Sequence, residues 1–167
     1  AAYKDVVKVG RTHLMDAVPI SYGQVFNSYA SAVTHSLEKI NEAGNSLLEI
    51  GLGGTAVGTG INTPPTFRIA AATEPEKVTG FNFEAARDKI EWTWSGSAFV
   101  QFAGSLKGYA IEMDKIASDL RLLGSGPKAG LAEIILPEVE PGASIMPGKI
   151  NPSIPEAVNQ VCLQVIG

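Results

Sequence analysis

The sequence has 167 residues, of which 45% are hydrophobic and 18% charged, a composition typical of globular rather than disordered proteins. Its formal net charge of -4 gives no general attraction for nucleic acid or anionic membranes. Cys162 is the single cysteine, which excludes an internal disulfide and a cysteine-rich metal site and fits a cytoplasmic location. No apolar run reaches the roughly 18 residues that a membrane-spanning helix needs.

The first segment that could carry chemistry is residues 10–19, GRTHLMDAVP. The hydroxyl of Thr12 and the imidazole of His13 are adjacent and can donate hydrogen bonds to a carboxylate. The alternative is a capping turn before a helix start marked by Pro19, and composition alone favours that alternative.

Hydrophobic periodicity predicts two long helices, over residues 21–50 and 93–123. Thirty helical residues span roughly 45 Å, a length that suits an elongated helical bundle. The second helix alternates steps of three and four, which predicts a seam that packs against other helices, including those of other subunits. Its seam residues are Phe99, Phe102, Leu106, Tyr109, Met113, Ile116, Leu120 and Leu123.

The stretch between these helices, 51–89, is predicted to hold a loop and short helices near 67–73 and 83–90. Pro75 is expected to end or kink the first of these helices. The sequence GLGGTAVGTG at 51–60 matches a dinucleotide-binding fingerprint only weakly, because a predicted helix rather than a strand precedes it. A structural loop is the favoured interpretation.

Residues 141–152, PGASIMPGKINP, form the last candidate segment, ahead of a helix in which Pro155 is a first-turn residue. Gly142 and Gly148 permit unusual backbone angles, and Lys149 and Asn151 offer a cation and an amide two residues apart. Such a segment suits a loop that closes over an anion, with a plain linker between helices as the alternative. Nothing in the chain predicts a sustained strand, and the two histidines form no cluster that predicts a metal site.

Taken in order, these segments resemble the fumarase/aspartase family of lyases, and the stretch at 142–152 matches the signature of that family. The resemblance implies a mostly α fold, an elongated helical bundle. It also implies that residues 1–167 are a fragment of the central bundle domain, truncated at both ends and including the signature loop 141–152.

The resemblance also implies a function. Such enzymes form fumarate by reversible anti β-elimination from a small dicarboxylate without an organic cofactor, as homotetramers in which three subunits share each active site. In the family, the signature lysine, here Lys149, stabilises the reacting carboxylate, and the asparagine, here Asn151, binds substrate. Thr12 and His13 correspond to a pair that contacts the other carboxylate, with His13 also a catalytic candidate.

The catalytic base of the family is a serine six residues before the signature lysine, and that position holds Ala143 in this chain. Ser144 is the remaining catalytic candidate on the loop. Two further departures are Met15, where relatives often have glutamine, and the run AAATEP at 70–75, where relatives have a charged helix. The features as a whole favour aspartase over fumarase, and a non-catalytic helical assembly fragment is the alternative from another class.

Overall fold

The computed structural model describes residues 3–142 and 144–167, and five helices cover about half of the chain. A mostly α fold is therefore confirmed. The helices are α1 Tyr22–Asn45, α2 Pro65–Thr79, α3 Lys89–Trp92, α4 Ser97–Leu123 and α5 Ser153–Ile166. The strands are β1 Val7–Thr12, β2 Met15–Ser21, β3 Glu49–Ile50 and β4 Glu84–Ala85.

Within the described residues, the fold divides into two compact units. One comprises Ala1–Leu37 and Lys107–Gly167, and the other comprises Glu38–Leu106. The first unit holds β1, β2, α5 and the candidate segments 10–19 and 141–152.

The first unit opens with an antiparallel hairpin of β1 and β2, so the expectation that the chain lacks a strand was wrong. Val9 lies opposite Pro19, and Thr12 lies opposite Met15. A two-stranded sheet has only edge strands, where a proline without an amide proton can be accommodated. The turn contains no glycine or asparagine, the residues that normally reveal a hairpin in a sequence.

Helix α1 begins close to its predicted start, one residue after Ser21, with a reciprocal capping box. The amide of Gln24 donates to Ser21 Oγ at 3.1 Å, and the amide of Ser21 donates to Gln24 Oε1 at 2.9 Å. The helix ends at Asn45 rather than near residue 50, because the chain turns there and enters β3.

In the first unit, Ala110 and Ala117 of α4 and Cys162 of α5 are buried, and hydrogen bonds such as that from Arg121 to Asn159 connect the two helices. Helix α4 ends at the predicted residue but begins at Ser97. Residues 93–96 form a turn and an irregular link instead, and before them lies the separate helix α3, whose N-cap Asp88 accepts hydrogen bonds from the amides of Ile90 and Glu91.

In the second unit, β3 and β4 pair in parallel with α2 between them in the chain. Helix α2 continues past Pro75 to Thr79. The expectation that Pro75 ends the helix was therefore wrong. Gly80 ends it instead, in a left-handed conformation (φ 75°) with its amide donating to the Glu76 carbonyl. The helix expected near 83–90 was also wrong, since β4 and an irregular stretch occupy most of that segment.

The glycine-rich segment 51–60 is a loop, as predicted, although β3 precedes it and supplies a minimal strand context that the sequence did not reveal. Helix α2 begins only at Pro65, so the glycines do not open a helix as a dinucleotide fingerprint requires. A Cβ on Gly51 would lie 2.4 Å from the Trp92 ring. Arg68 donates to the Thr59 carbonyl at 2.6 Å, so the loop is fixed by packing and by hydrogen bonds.

Candidate active site

Thr12 and His13 lie at the tip of the β1–β2 hairpin. His13 and Leu14 form the two-residue turn with positive φ angles of 55° and 63°, the signature of the turn type that matches strand twist. Neither residue is glycine, so the turn holds a sparsely populated conformation that must be stabilised by its surroundings. Both Thr12 and His13 are exposed, which leaves their donors available.

His13 lines a pocket of about 350 Å³ in the first unit. On its wall, Tyr29 Oη donates to Asp119 Oδ2 at 2.7 Å, and Lys115 forms an ion pair with the same carboxylate. Burial is the largest cause that raises the pKa of Tyr29, and the hydrogen bond to Asp119 and the negative charge of Asp119 raise it further. Tyr29 is therefore a neutral donor at physiological pH. The other lining residues are Arg11, Leu14, Leu122, Leu123 and Leu131.

The hairpin is held to the rest of the unit by Glu133, which follows α4. The Glu133 carboxylate forms an ion pair with Arg11, and its Oε2 lies 3.2 Å from Lys8 Nζ. Burial opposes ionisation of Glu133, but the hydrogen bonds and charges of Arg11 and Lys8 prevail and lower its pKa. Tyr22 Oη also donates to the Glu133 carbonyl at 2.9 Å. One carboxylate thus joins strand β1 to the segment after α4.

The signature loop turns at two glycines, Gly142 (φ 74°) and Gly148 (φ 83°). A Cβ on Gly142 would approach the Lys149 carbonyl to 2.9 Å, so glycine is needed there on two grounds. Ser153 donates to the Glu140 carboxylate, which brings the two ends of the loop together. The loop is therefore closed at its base and turned by its glycines.

Lys149 and Asn151 line one pocket of about 450 Å³. Lys149 is exposed and Asn151 half-buried, so an ammonium group and an amide are available at its rim. The rest of the lining is Gly124, Gly126, Pro127, Ala132, Ile134, Ile135, Leu136, Gly148, Ile150 and Pro152. A mostly apolar wall with one cation and one amide suits a small carboxylate, because apolar surroundings strengthen the attraction between the ammonium and the carboxylate.

The structure brings Lys149 and Asn151 together but does not combine them with His13 in these two pockets, which share no lining residue. Ser144 is exposed and lines neither of the two. Ala143 lies outside the described residues. The parts of the proposed site therefore occupy separate places on the first unit.

Sequence reasoning missed the supporting residues Tyr29, Lys115, Asp119 and Glu133. Glu133 carried a faint signal, as an acidic residue in an otherwise apolar stretch, LAEIIL at 131–136. The i, i+4 spacing of Lys115 and Asp119 is a common surface pair and gave no reason to single it out.

Two further observations concern only the residues that the structure describes. No group of three His, Cys, Asp or Glu side chains is placed to hold a metal ion. No helix in that part of the chain is both long and apolar enough to cross a membrane.

The sequence model of a protein family described as "Lyase" matches residues 1–167. The chain belongs to this lyase family. The resemblance inferred from the signature loop is confirmed, and the family is enzymatic.

Relatives with two different activities match almost equally well. Over 165 residues the chain is 52% identical to aspartate ammonia-lyase of Helicobacter pylori (strain ATCC 700392 / 26695). Over 166 residues it is 49% identical to class II fumarate hydratase of Pasteurella multocida (strain Pm70). Each match covers 99% of this chain but only 35% and 36% of the respective relative. The chain thus spans about a third of the length of the curated relatives it matches.

Solved structures show the same fold. The cobalt-bound fumarate lyase:delta crystallin of Brucella melitensis superposes with a TM-score of 0.94 at 48% identity, and recombinant class II fumarase of Schistosoma mansoni with 0.96 at 34%. The matches cover 99% of this chain and 36% and 38% of those chains.

Proposed function

We propose that the complete gene product catalyses a reversible anti β-elimination that converts L-aspartate into fumarate and ammonia. The observation that carries the proposal is the pocket in which Lys149 and Asn151 lie together, since an ammonium and an amide are suited to a carboxylate. Membership of the lyase family supports the reaction class. The similarity to aspartate ammonia-lyases supports ammonia as the leaving group.

In the proposed mechanism, a base removes the proton from the carbon next to one carboxylate. The electron pair enters that carboxylate and forms a dianionic aci-carboxylate, and the carbon–nitrogen bond then breaks on the opposite face. Lys149 stabilises the added charge, a contribution of about 3 kcal/mol by analogy with oxyanion-hole donors. Asn151 binds the substrate, while Thr12 and His13 hold its other carboxylate.

The base is the open element of the mechanism. The family position for it holds Ala143, whose side chain cannot accept a proton, so we propose that this chain has low turnover. Ser144, an exposed residue of the signature loop, is the alternative base. His13 is the other catalytic candidate in the proposed site.

We further propose that the site is completed in a cytoplasmic homotetramer. The support is that His13 and Lys149 line separate pockets of one unit, so that each can combine with segments of other subunits. The lone Cys162 fits a reducing compartment.

Hydration chemistry is the second candidate, and the class II fumarate hydratase relatives favour it. In that case L-malate is the substrate and water leaves instead of ammonia. The same residues would bind the two carboxylates, because both substrates carry them.

The deciding experiment is to assay the complete gene product with L-aspartate and with L-malate. Fumarate is followed at its ultraviolet absorbance, and ammonia is measured separately. Ammonia release from L-aspartate supports the proposal, while turnover of L-malate alone supports the hydratase. Turnover of neither substrate, in a correctly folded protein, supports a non-catalytic assembly role.

A pair of lysine variants tests the assignment of the pocket. Lys149→Met is expected to lower kcat by about 100-fold, as removal of an oxyanion-hole donor does elsewhere. Lys77→Met is the matched control, because within the described part of the chain the exposed Lys77 pairs with the exposed Glu74 on α2, away from this pocket. Equal activities of the two variants would refute the role of Lys149.

A further inference from the structure

Glu133 is the residue on which the two parts of the candidate site converge. Its side chain contacts Lys8 and Arg11 of β1, and Arg11 directly precedes Thr12 in the chain. Its immediate neighbours Ala132 and Ile134 line the pocket that holds Lys149 and Asn151. A shift of Glu133 would therefore reach both the hairpin tip and that pocket.

The backbone of Glu133 is fixed independently of these charges. Its amide donates to the Leu123 carbonyl at the end of α4 at 2.9 Å, and the Ala132 amide donates to the Ser125 carbonyl at 2.7 Å. Its own carbonyl accepts from Tyr22 Oη at the start of α1. The carboxylate is thus attached to a backbone segment that three hydrogen bonds hold in place.

The ion pairs at Glu133 are well placed to constrain the hairpin. The side chains of Glu133, Arg11 and Lys8 are only 16%, 19% and 10% exposed. Ion pairs that are largely shielded from water are screened less and hold their partners in fixed geometry more effectively than surface pairs. In contrast, the nearby pair of Arg11 with Asp16 is on the exposed side, with Asp16 80% exposed.

The hairpin requires such a restraint at its tip. The turn at His13 and Leu14 is in a left-handed conformation that β-strand pairing alone supports weakly. Arg11 is the residue of β1 that lies nearest in sequence to the turn and carries an ion pair to the body of the unit.

We infer that Glu133 is a positioning residue that acts through Arg11 to fix the orientation of Thr12 and His13 for substrate binding. This inference rests on the proposed function, since it assigns Thr12 and His13 to the carboxylate that does not react. Loss of positioning then weakens binding of substrate and transition state alike, which raises KM more than it lowers kcat.

The test uses Glu133→Gln in the complete gene product, with Glu74→Gln as the matched control at an exposed ion pair. Glu133→Gln is expected to raise KM about tenfold, with a smaller effect on kcat. This is the magnitude expected when one charge-assisted hydrogen bond that orients the binding group is lost. Glu74→Gln is expected to leave both constants unchanged. Glu133→Asp retains the charge and is expected to recover part of the loss.

A double-mutant cycle tests the route through Arg11. If Glu133 acts through Arg11, the double variant Glu133→Gln/Arg11→Gln is expected to have a KM close to that of either single variant. Fully additive effects would overturn the inference. So would a Glu133→Gln enzyme with unchanged KM, or one in which only kcat falls.

Hydrogen exchange separates failure of this inference from failure of the proposed function. Glu133→Gln is expected to accelerate exchange of the β1 and β2 amides, including those beside the turn, relative to the Glu74→Gln control. This readout needs no substrate. Wild-type protein that turns over neither substrate would overturn the proposed function, whereas unaccelerated hairpin exchange would overturn the positioning role.

Discussion

Charged and polar side chains in the first unit share partners rather than pairing singly. Asp119 accepts from Tyr29 and pairs with Lys115, and the Lys115 ammonium lies 5.6 Å from the centroid of the Tyr29 ring. Each group is thus oriented by two others. At the scale of the residue, this sharing determines which substitutions are costly.

Tyr29→Phe is expected to destabilise the protein by about 1 kcal/mol, because it removes one hydrogen bond while Lys115 still compensates Asp119. The folded-state pKa of Tyr29 is raised above the ordinary tyrosine value of about 10, so the contribution of Tyr29 to stability is complete below pH 10. As pH rises above 10, the unfolded state loses the proton first and the contribution declines.

The melting temperatures of wild type and Tyr29→Phe, measured from neutral pH to pH 11, check this expectation. The difference between them should narrow above pH 10. The exposed Tyr3→Phe is the control and should show no such change. A constant difference across this pH range would contradict the assignment.

Ala143→Ser is the second prediction at the scale of the residue. If the position six residues before Lys149 is that of the base, restoring a serine should raise kcat by several orders of magnitude, about 100- to 10,000-fold for general base catalysis. Steady-state kinetics of the complete gene product measure this. An unchanged rate would place the base elsewhere, and a loss of activity in Ser144→Ala would then identify Ser144.

At the scale of the element, a buried amide joins α4 to α5. Asn159, 8% exposed, donates to Asp114 Oδ1 at 2.6 Å and to Ser118 Oγ at 3.1 Å, and it accepts from Arg121 Nη1 at 3.0 Å. Arg121 also reaches Glu156, one turn earlier on α5, at 3.2 Å. These hydrogen bonds connect α4 and α5 at a defined register.

Asn159→Leu is expected to lower stability by about 1–3 kcal/mol, since Asp114 and Arg121 lose a buried partner. Gln160→Leu is the control, because Gln160 is the exposed neighbour on α5. Melting temperatures compared at equal protein concentration are the measurement. A variant as stable as the control would mean that packing alone sets the register.

At the scale of the whole molecule, the apolar surface of α5 is greater than one unit buries. The helix is apolar around most of its circumference, a pattern typical of helices enclosed by others. Its exposed apolar residues are Ile154 at 57%, Val161 at 63%, Leu163 at 62% and Val165 at 46%. Further helices are expected to cover them, as the proposed tetramer provides.

The isolated 167-residue chain is therefore expected to have no steady lyase activity, because the proposed site needs segments that this chain does not combine. Continuous absorbance of fumarate with either substrate is the measurement, and the complete gene product is the control. Sustained fumarate formation by the isolated chain would contradict the expectation. Light scattering of the complete gene product should show a tetramer.

The amino-acid sequence by itself determined the mostly α class, the family and the positions of the long helices. Helix periodicity is a local property, so the start of α1 next to Ser21 and the end of α4 were readable from short stretches. The signature loop is equally local, since it combines Gly142, Gly148, Lys149 and Asn151 within a few positions.

Only the tertiary structure decided the hairpin, the path of α2 past Pro75 and the ion pairs of Glu133. Strand pairing and ion pairs of this kind join residues far apart in the chain, such as Arg11 and Glu133, whose proximity no local pattern encodes. The turn at His13 and Leu14 is left-handed without a glycine or asparagine, and therefore has no signature of its own. Local sequence patterns indicated the long helices, whereas long-range contacts determine how the hairpin is held to the rest of the first unit.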